Sequence, residues 1–259
     1  MLLALDVGNT NILAGLYEPG GTLTQTWRLS TQPVGTSDEF RVKISALAQL
    51  AGLHFERLKA VAVSSVVPQT AGMLRGAFSD KDFYVIDHSW KYSFSIQASP
   101  VEQIGTDRLV NAEAVLREYG APAVIVDSGT ATTICAISPQ KQYLGGAIMP
   151  GIELSIETLA RRTARLFSIE LVVPERAIGT NTEEALQSGI LLGYASMIDG
   201  MVLRFKRELE NLGAKNIPVI ATGGVSVLLR GVAKELTHFE SDLTLKGIRY
   251  LYEQNRQLS

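Results

Sequence analysis

The sequence predicts an α/β fold in which one structural unit occurs twice. A strand pattern, an Asp-x-Gly turn and two further strand patterns occupy the first 31 residues, and a similar set follows 121 residues later, counted from Asp6 to Asp127. Strand and helix patterns alternate along the chain, as they do in α/β proteins. Hydrophobic residues make up 46% and charged residues 19% of the 259 residues, so the chain can bury a large core.

The first set begins with Leu2–Val7, a short apolar run typical of a buried strand. A second strand is predicted over residues 12–17 and a third over residues 23–29, where apolar and polar side chains alternate. The elements predicted next are a helix over residues 37–53, a strand over 58–67, a helix from residue 68 and a strand over 83–86.

The second set begins with a buried strand, predicted over residues 123–126. Two further strands are predicted over residues 133–137 and 143–148, on either side of a hairpin turn. The rest of the chain is predicted to be mainly helical, with helices over residues 150–166, 181–209, 225–236 and 243–257 and a strand over 218–221.

Charge, cysteine content and the N-terminal sequence disfavour several classes of protein. Lysine and arginine number 24 against 26 acidic residues, without a block of five like charges, which argues against a nucleic-acid-binding face. Cys135 is the one cysteine, so an internal disulfide and a cysteine-rich zinc cluster are excluded. The N-terminal sequence reaches Asp6 without a signal-peptide or membrane-span pattern. We therefore expect a soluble, cytoplasmic protein that binds neither nucleic acid nor membrane.

The two Asp-x-Gly turns are candidate phosphate-binding sites. Glycine allows the backbone to approach an anion closely, and successive N–H groups of such a turn can bind phosphate oxygens. A carboxylate at each strand end would repel phosphate unless a cation lay between them, so Asp6 and Asp127 are candidate ligands of metal ions or of metal-bound water. A plain hairpin turn is the alternative for either turn taken alone. Neither a P-loop motif nor a dinucleotide-binding glycine motif is present.

Two other segments carry candidate functional residues. Residues 222–224, Thr-Gly-Gly, follow a predicted strand, and glycines there would let a base and ribose pack against the backbone; a tight turn is the alternative. Residues 105–108, Gly-Thr-Asp-Arg, precede an amphipathic helix. Either Thr106 and Asp107 cap that helix, or Asp107 accepts a proton from a substrate hydroxyl while Arg108 pairs with an acidic substrate group.

Taken in order, these segments resemble the type III pantothenate kinases, a family of the acetate and sugar kinase, Hsp70 and actin superfamily. The matching segments are DVGNTN at 6–11, SSVVP at 64–68, GTDR at 105–108, DSGTATT at 127–133, GGAIMPGI at 145–152, GTNTEEALQSGILLG at 179–193, ATGG at 221–224 and LTLKGIRYL at 243–251. The resemblance implies two duplicated ribonuclease H-like (actin-like) domains, each with a mixed five-stranded sheet flanked by helices. The expected domains are residues 1–117 and 118–259, with the last helix free to pack back on the first domain.

The resemblance also implies roles for individual residues. Asp107 would be the general base for the pantothenate primary hydroxyl, with ATP as the phosphoryl donor. Asp6 would hold Mg²⁺ through water, and Asp127 would bind an activating K⁺ or NH₄⁺. The implied contacts with ATP are Asp6, Val7, Gly8, Asn9, Thr10, Asn11, Ile12, Leu13 and Thr130, and those with pantothenate are Gly105, Thr106, Asp107, Arg108 and Thr182. Members of the family are homodimers, so a homodimer is expected.

The implied reaction converts ATP and (R)-pantothenate to ADP and 4′-phosphopantothenate, the first step of coenzyme A biosynthesis. Two alternatives remain open: a kinase of another small hydroxy acid or sugar, and a non-catalytic nucleotide-binding regulator of the same superfamily. One departure bears on the acceptor. The family often places a tyrosine shortly before the segment at 105–108, whereas residues 95–104 contain no aromatic side chain.

Overall fold

The computed structural model describes residues 1–33, 35–162 and 170–256. The chain forms two compact units. Unit 1 comprises Met1–Ser93, Ser99–Ala114 and Leu243–Ser259, and unit 2 comprises Phe94–Ala98 and Val115–Asp242. The closing segment of the chain thus belongs to unit 1, whereas the division into domains at residues 117 and 118 stays a prediction.

Unit 1 is built on a mixed five-stranded sheet. Its strands are Leu2–Val7 (β1), Asn11–Tyr17 (β2), Leu23–Ser30 (β3), Ala60–Ser65 (β4) and Asp82–Val85 (β5). The order is β3-β2-β1-β4-β5, with antiparallel pairing among β1, β2 and β3 and parallel pairing of β4 with β1 and β5. Strands β1 and β4 are buried along almost their whole length, which explains their near-continuous apolar sequence.

Helices cover both faces of this sheet. Those with residues in unit 1 are Ser37–Leu50 (α1), Pro68–Ala77 (α2), Thr106–Glu118 (α3) and Leu243–Asn255 (the closing helix, α7). Successive side chains of a strand point to opposite faces. Accordingly, Leu3 of β1 lies in one apolar cluster with Ile44 and Leu74, and Leu2 lies in another with Leu245. The strand β1 therefore forms the centre of the unit, between α1 and α2 on one face and α3 and α7 on the other.

Unit 2 repeats this topology on a second mixed sheet. Its strands are Ser95–Ile96 (β6), Ala123–Ser128 (β7), Ala131–Ile137 (β8), Gln142–Pro150 (β9), Val219–Thr222 (β10) and His238–Phe239 (β11). The order is β11-β10-β7-β8-β9-β6, so β9-β8-β7-β10-β11 corresponds to β3-β2-β1-β4-β5. The described part of this sheet has six strands rather than the expected five, because β6 pairs in parallel with the outer edge of β9. The predicted duplicated α/β fold is otherwise confirmed.

The helical run predicted over 181–209 is confirmed in unit 2, whereas another predicted helix does not form. The helices of this unit are Ile152–Arg162 (α4), Thr182–Gln187 (α5) and Gly193–Asn211 (α6), with a π-helical turn at Ser188–Leu192 between the last two. The helix predicted over 225–236 is wrong. A short 3₁₀ helix forms at Ser226–Leu229 instead, and Gly231 adopts a φ of 82°, which a right-handed helix does not allow. The end of the helix predicted over 150–166 lies outside the described residues.

The helical run Thr182–Asn211 is long and apolar enough to cross a membrane by length and composition alone, with a mean hydropathy of 1.3 over its most apolar window. The core helix of a soluble protein passes the same test. In this run Tyr194, Ile198 and Val202 are buried in the apolar cluster of unit 2. The run is therefore weak evidence for a membrane span.

Candidate active site

The first glycine turn, Gly8-Asn9-Thr10, connects β1 to β2. Gly8 donates its N–H to Asn11 O at 3.0 Å. Thr31 donates to the turn twice, from its N–H to Thr10 O at 2.9 Å and from its hydroxyl to Gly8 O at 2.7 Å. Asn9 and Thr10 are exposed. The turn is thus held from one side by Thr31, while its tip stays at the surface, where a phosphate can reach it.

The predicted nucleotide segment, residues 6–13, contains core residues as well as the turn. Val7 and Ile12 are buried in one apolar cluster of unit 1, and Leu13 packs against the other. The side chains of Val7 and Ile12 are buried in the core, so a nucleotide at these two positions would contact the backbone rather than the side chains. The geometry therefore narrows the candidate phosphate contacts to Asp6 and the turn itself.

Asp6 lies one residue before the end of β1 and is half-buried. Its parallel register partner is Ser64 of β4. By the alternation of the strand, its side chain lies on the same face of the sheet as Leu2 and Ala4, which pack with Val110 of α3. The predicted Mg²⁺ ligand and the helix that carries the predicted base therefore share one face of unit 1.

The segment at 105–108 forms the start of α3, and a hydrogen bond attaches it to the end of β4. The hydroxyls of Thr106 and Ser64 are 3.1 Å apart, and both residues are buried. Since Ser64 is the register partner of Asp6, this bond ties the first turn of α3 to the strand next to Asp6. A Cβ at position 105 would collide with the carboxylate of Asp107, so Gly105 leaves the room that this carboxylate occupies.

The environment of Asp107 is suited to a base. Burial disfavours the charged carboxylate and raises the pKa of Asp107, although the N–H and the charge of Arg108 act in the opposite direction. The Arg108 N–H donates to Asp107 Oδ1 at 2.9 Å. A carboxylate with a raised pKa accepts a proton more readily than an exposed one. Asp107 lies in the first turn of α3. This position is consistent with a role at the helix start and also with a role as a base.

The second glycine turn, Gly129-Thr130, connects β7 to β8 in unit 2. Gly129 donates its N–H to Ala131 O at 3.1 Å, and Gly151 donates its N–H to Thr130 O at 3.1 Å. A Cβ on Gly151 would collide with the carbonyl oxygens of both turn residues. The start of α4 therefore packs directly on this turn. Thr130, the predicted ATP contact, is exposed.

Asp127 lies beside the predicted Thr-Gly-Gly segment. Its parallel register partner is Thr222, the last residue of β10. Gly223 follows with a φ of 88°, and a Cβ there would lie 2.7 Å from Asp127 Oδ1. Both the positive φ and the short distance to the Asp127 carboxylate require a glycine at position 223. Val225 donates its N–H to Ser128 O at 3.3 Å, so two segments that the sequence separates by almost 100 residues meet around one carboxylate.

Thr182 is the exposed first residue of α5. The side chain of Asn181 caps this helix by accepting the Glu184 N–H at 2.9 Å. Thr182 belongs to unit 2, whereas Gly105–Arg108 belongs to unit 1, and the role of Thr182 toward pantothenate stays a prediction.

Within the described residues, no group of three or more His, Cys, Asp or Glu side chains is arranged to hold a metal ion.

Sequence reasoning missed two residues that support the turns. Thr31 follows the end of β3, outside any motif, and no local pattern indicates its contact with Gly8. Tyr194 of α6 forms a hydrogen bond with Thr132, near the start of β8. The π-helical turn at Ser188–Leu192 shortly precedes Tyr194. Such turns often accompany functional sites, but the turn is visible in the structure and not in the sequence.

A pocket of about 190 Å³ lies beside α1. It shares Ile12 with the predicted nucleotide segment but includes neither Asp6 nor Asp107. We therefore assign the candidate site to the glycine turn and the start of α3 rather than to this pocket. Its lining residues are Ile12, Leu29, Ser30, Thr31, Gln32, Pro33, Gly35, Glu39, Phe40, Lys43 and Met73.

Solved structures with this fold include proteins of quite different description. A conserved putative Baf family transcriptional activator from Campylobacter jejuni matches with a TM-score of 0.62 at 20% identity, over 98% of this chain and 99% of that one. A putative 2-dehydro-3-deoxygalactonokinase from Sinorhizobium meliloti matches with a TM-score of 0.57 at 11% identity, over 98% and 96%. At these identities the matches show the fold alone. The duplicated sheets with glycine turns at the strand ends define an actin-like α/β protein.

Sequence comparison gives the family. The model of the type III pantothenate kinase family matches residues 2–204. A type III pantothenate kinase from Rubrobacter xylanophilus is 42% identical over 260 aligned residues, which cover 98% of either chain. The chain belongs to the type III pantothenate kinase family, and the resemblance found in the sequence is confirmed.

Proposed function

We propose that this protein transfers the terminal phosphoryl group of ATP to the primary hydroxyl of (R)-pantothenate, which yields ADP and 4′-phosphopantothenate and begins coenzyme A biosynthesis. The observation that carries this conclusion is the family match over residues 2–204, a span that contains both glycine turns and Gly105–Arg108. The protein is thus a kinase that acts on an alcohol group.

Asp107 is the general base in this proposal. The hydroxyl oxygen of pantothenate attacks the γ-phosphorus, the bond from that phosphorus to the bridging oxygen breaks, and ADP leaves with the electron pair. The hydroxyl proton passes to Asp107. Burial supports this role, because the raised pKa of Asp107 makes its carboxylate a stronger base than an exposed aspartate. The bond between Thr106 and Ser64 keeps this turn of α3 in place.

Arg108 pairs with the pantothenate carboxylate in this proposal, and Gly105, Thr106 and Thr182 contribute further contacts with pantothenate. Arg108 is half-buried next to Asp107, and a guanidinium binds a carboxylate in a fixed, two-pronged geometry. One residue would thereby hold the acid group while its neighbour faces the hydroxyl. Asp6, the backbone of the first turn and Thr130 hold the phosphates of ATP.

Asp6 and Asp127 are the proposed cation ligands, Asp6 for Mg²⁺ through water and Asp127 for K⁺ or NH₄⁺. Mg²⁺ in kinases is held by one or two carboxylates together with phosphate oxygens and water. Each aspartate is the last residue but one of a buried strand that leads into a glycine turn. The bound cations would offset the negative charge of the phosphates.

We further propose a cytoplasmic homodimer that binds neither nucleic acid nor membrane. The net charge of −2 supports the absence of a nucleic-acid-binding face. Light scattering of the purified protein measures the oligomeric state directly, and a mass of one 28.1 kDa chain would contradict the dimer.

The decisive experiment is ADP release by the purified protein with ATP and Mg²⁺, measured with and without pantothenate, first in K⁺ buffer and then in Na⁺ buffer. We expect turnover that requires pantothenate and is faster in K⁺. ATP binding without stimulation by pantothenate would contradict the proposed acceptor, and the segment without aromatic residues at 95–104 would be the first place to look for the reason. Equal rates in the two buffers would contradict the monovalent-cation site.

A further inference from the structure

Thr31 lies directly after β3 and is 2% exposed. Its hydroxyl donates to Gly8 O at 2.7 Å and its N–H donates to Thr10 O at 2.9 Å. One residue thus binds the first and the last carbonyl oxygen of the turn Gly8-Asn9-Thr10. The N–H bond continues the ladder between β2 and β3, but the hydroxyl bond is specific to a side chain with a donor at this position.

These two bonds fix the direction of the N–H groups in the turn. In a trans peptide the carbonyl of one residue and the N–H of the next point in opposite directions. Since Gly8 O and Thr10 O are directed toward Thr31, the N–H groups of Asn9 and Asn11 are directed away from it. Carbonyl oxygens carry partial negative charge and would repel a phosphate, whereas N–H groups attract one.

We propose that Thr31 is a positioning residue for the phosphates of the nucleotide. Its hydroxyl keeps the peptide between Gly8 and Asn9 in the orientation that presents the N–H of Asn9 to an anion and holds the carbonyl back. The inference rests on the proposed function, because it takes the first glycine turn to be the phosphate site. We therefore expect that replacing Thr31 weakens the binding of ATP more than the binding of pantothenate.

The structure offers a matched control. Thr24 lies in β3 and donates its hydroxyl to Leu16 O at 3.0 Å. The bond has the same type as that of Thr31, from a threonine hydroxyl to a backbone carbonyl, but it joins β3 to β2 at the opposite end of β3, away from the turn. Thr24→Val therefore removes a comparable hydroxyl bond without touching the turn.

The test compares the steady-state kinetics of wild type, Thr31→Val, Thr31→Ser and Thr24→Val, with ATP and pantothenate varied separately. For Thr31→Val we expect KM for ATP to rise roughly tenfold, the change that one hydrogen bond of ordinary strength makes in an equilibrium constant, with KM for pantothenate within about twofold. Thr31→Ser should restore the affinity for ATP, because it keeps the hydroxyl. The thermal shift produced by MgATP measures the same affinity without turnover.

An unchanged KM for ATP in Thr31→Val would overturn the inference, and so would an equal rise of both KM values, which would indicate a structural role. If Thr31→Val does not fold, Thr31→Ala carries the same comparison, because it removes the hydroxyl without filling the space with a second methyl group. If the wild type shows no pantothenate-dependent ADP release, the proposed function fails, and the thermal shift with MgATP still tests Thr31 separately.

Discussion

The two glycine turns occupy equivalent places in two sheets of the same strand order, yet they are held in different ways. In unit 1 Asp6 pairs with Leu13 across a three-residue turn, and in unit 2 Asp127 pairs with Thr133 across a shorter one. The first turn is held by the side chain and the backbone of Thr31. The second is held by the backbone of Gly151, which packs so closely that a Cβ does not fit.

The neighbouring parallel strands show the same divergence. The partner of Asp6 is Ser64, whose hydroxyl binds Thr106 at the start of α3. The partner of Asp127 is Thr222, which leads directly into Gly223 beside the Asp127 carboxylate. The duplicated topology thus places a carboxylate near the end of the central strand of each sheet, and the surroundings of the two carboxylates differ. In unit 1 the strand end is joined to the helix that carries the candidate base, and in unit 2 it is enclosed by glycine backbone.

The largest expected effect tests whether the chemistry resides in unit 1. Asp107→Asn should lower kcat by about 10²–10⁴, since a general base contributes a factor of this size. Steady-state ADP release measures this, with circular dichroism to confirm folding. Asp38→Asn is the matched control, because Asp38 is an exposed aspartate in the first turn of α1. Turnover close to that of the wild type in folded Asp107→Asn would remove Asp107 as the base.

The same variant, Asp107→Asn, should lose activity but gain stability. Burial raises the pKa of Asp107 in the folded state, so the fold binds the proton more tightly than the unfolded chain does and loses stability as pH rises through the raised pKa. Asp107→Asn should therefore unfold at a higher temperature than wild type at pH 7, with a difference that shrinks as the pH falls. The kcat/KM of the wild type should fall toward acid pH with a pKa above 3.8. A lower melting temperature of the variant at pH 7 would contradict the sign.

A second test asks whether the two carboxylates serve different cations. Asp127→Asn should weaken or abolish activation by K⁺ and leave the Mg²⁺ dependence close to that of the wild type, whereas Asp6→Asn should raise the Mg²⁺ concentration needed for half-maximal rate. Titration of each cation at a saturating level of the other separates the two effects. If both variants shifted both titrations alike, the two strand ends would not differ in function.

The smallest effect concerns how the second turn is held. Gly151→Ala should lower the free energy of unfolding by about 1–3 kcal/mol, the usual cost of overpacking, because its Cβ collides with the backbone of Gly129 and Thr130. Gly200→Ala is the control, since a Cβ there meets no atom within 4 Å and alanine favours a helix interior by roughly 0.5–1 kcal/mol. Urea denaturation measures both, and equal stability of the two variants would show that α4 can move off the turn.

The features that the sequence could predict are local. The apolar run before each aspartate and the glycine after it are contiguous, so both turns and the strands around them were predicted. The pairings of Ser95–Ile96 and His238–Phe239 were not, because two-residue strands have no periodicity and their partners are distant in sequence. The helix predicted at 225–236 did not form, because Gly231 adopts a φ of 82°, which glycine allows and a right-handed helix does not. The hydroxyl bonds of Thr31 and Thr106 reach partners 23 and 42 residues away, beyond any local pattern.

The position of α7 has a consequence for synthesis on the ribosome. Leu245, Ile248 and Leu251 of this helix share an apolar cluster with Leu2 in the first strand. Val110 of α3 packs in the same cluster. The chain is made from the N-terminus, so this face of β1 is covered in part by α3 first and in full only when α7 has been made. Unit 2 draws on Val115–Asp242 and the short earlier segment Phe94–Ala98, so its residues are all available sooner. The unit that begins first is therefore the one that is completed last.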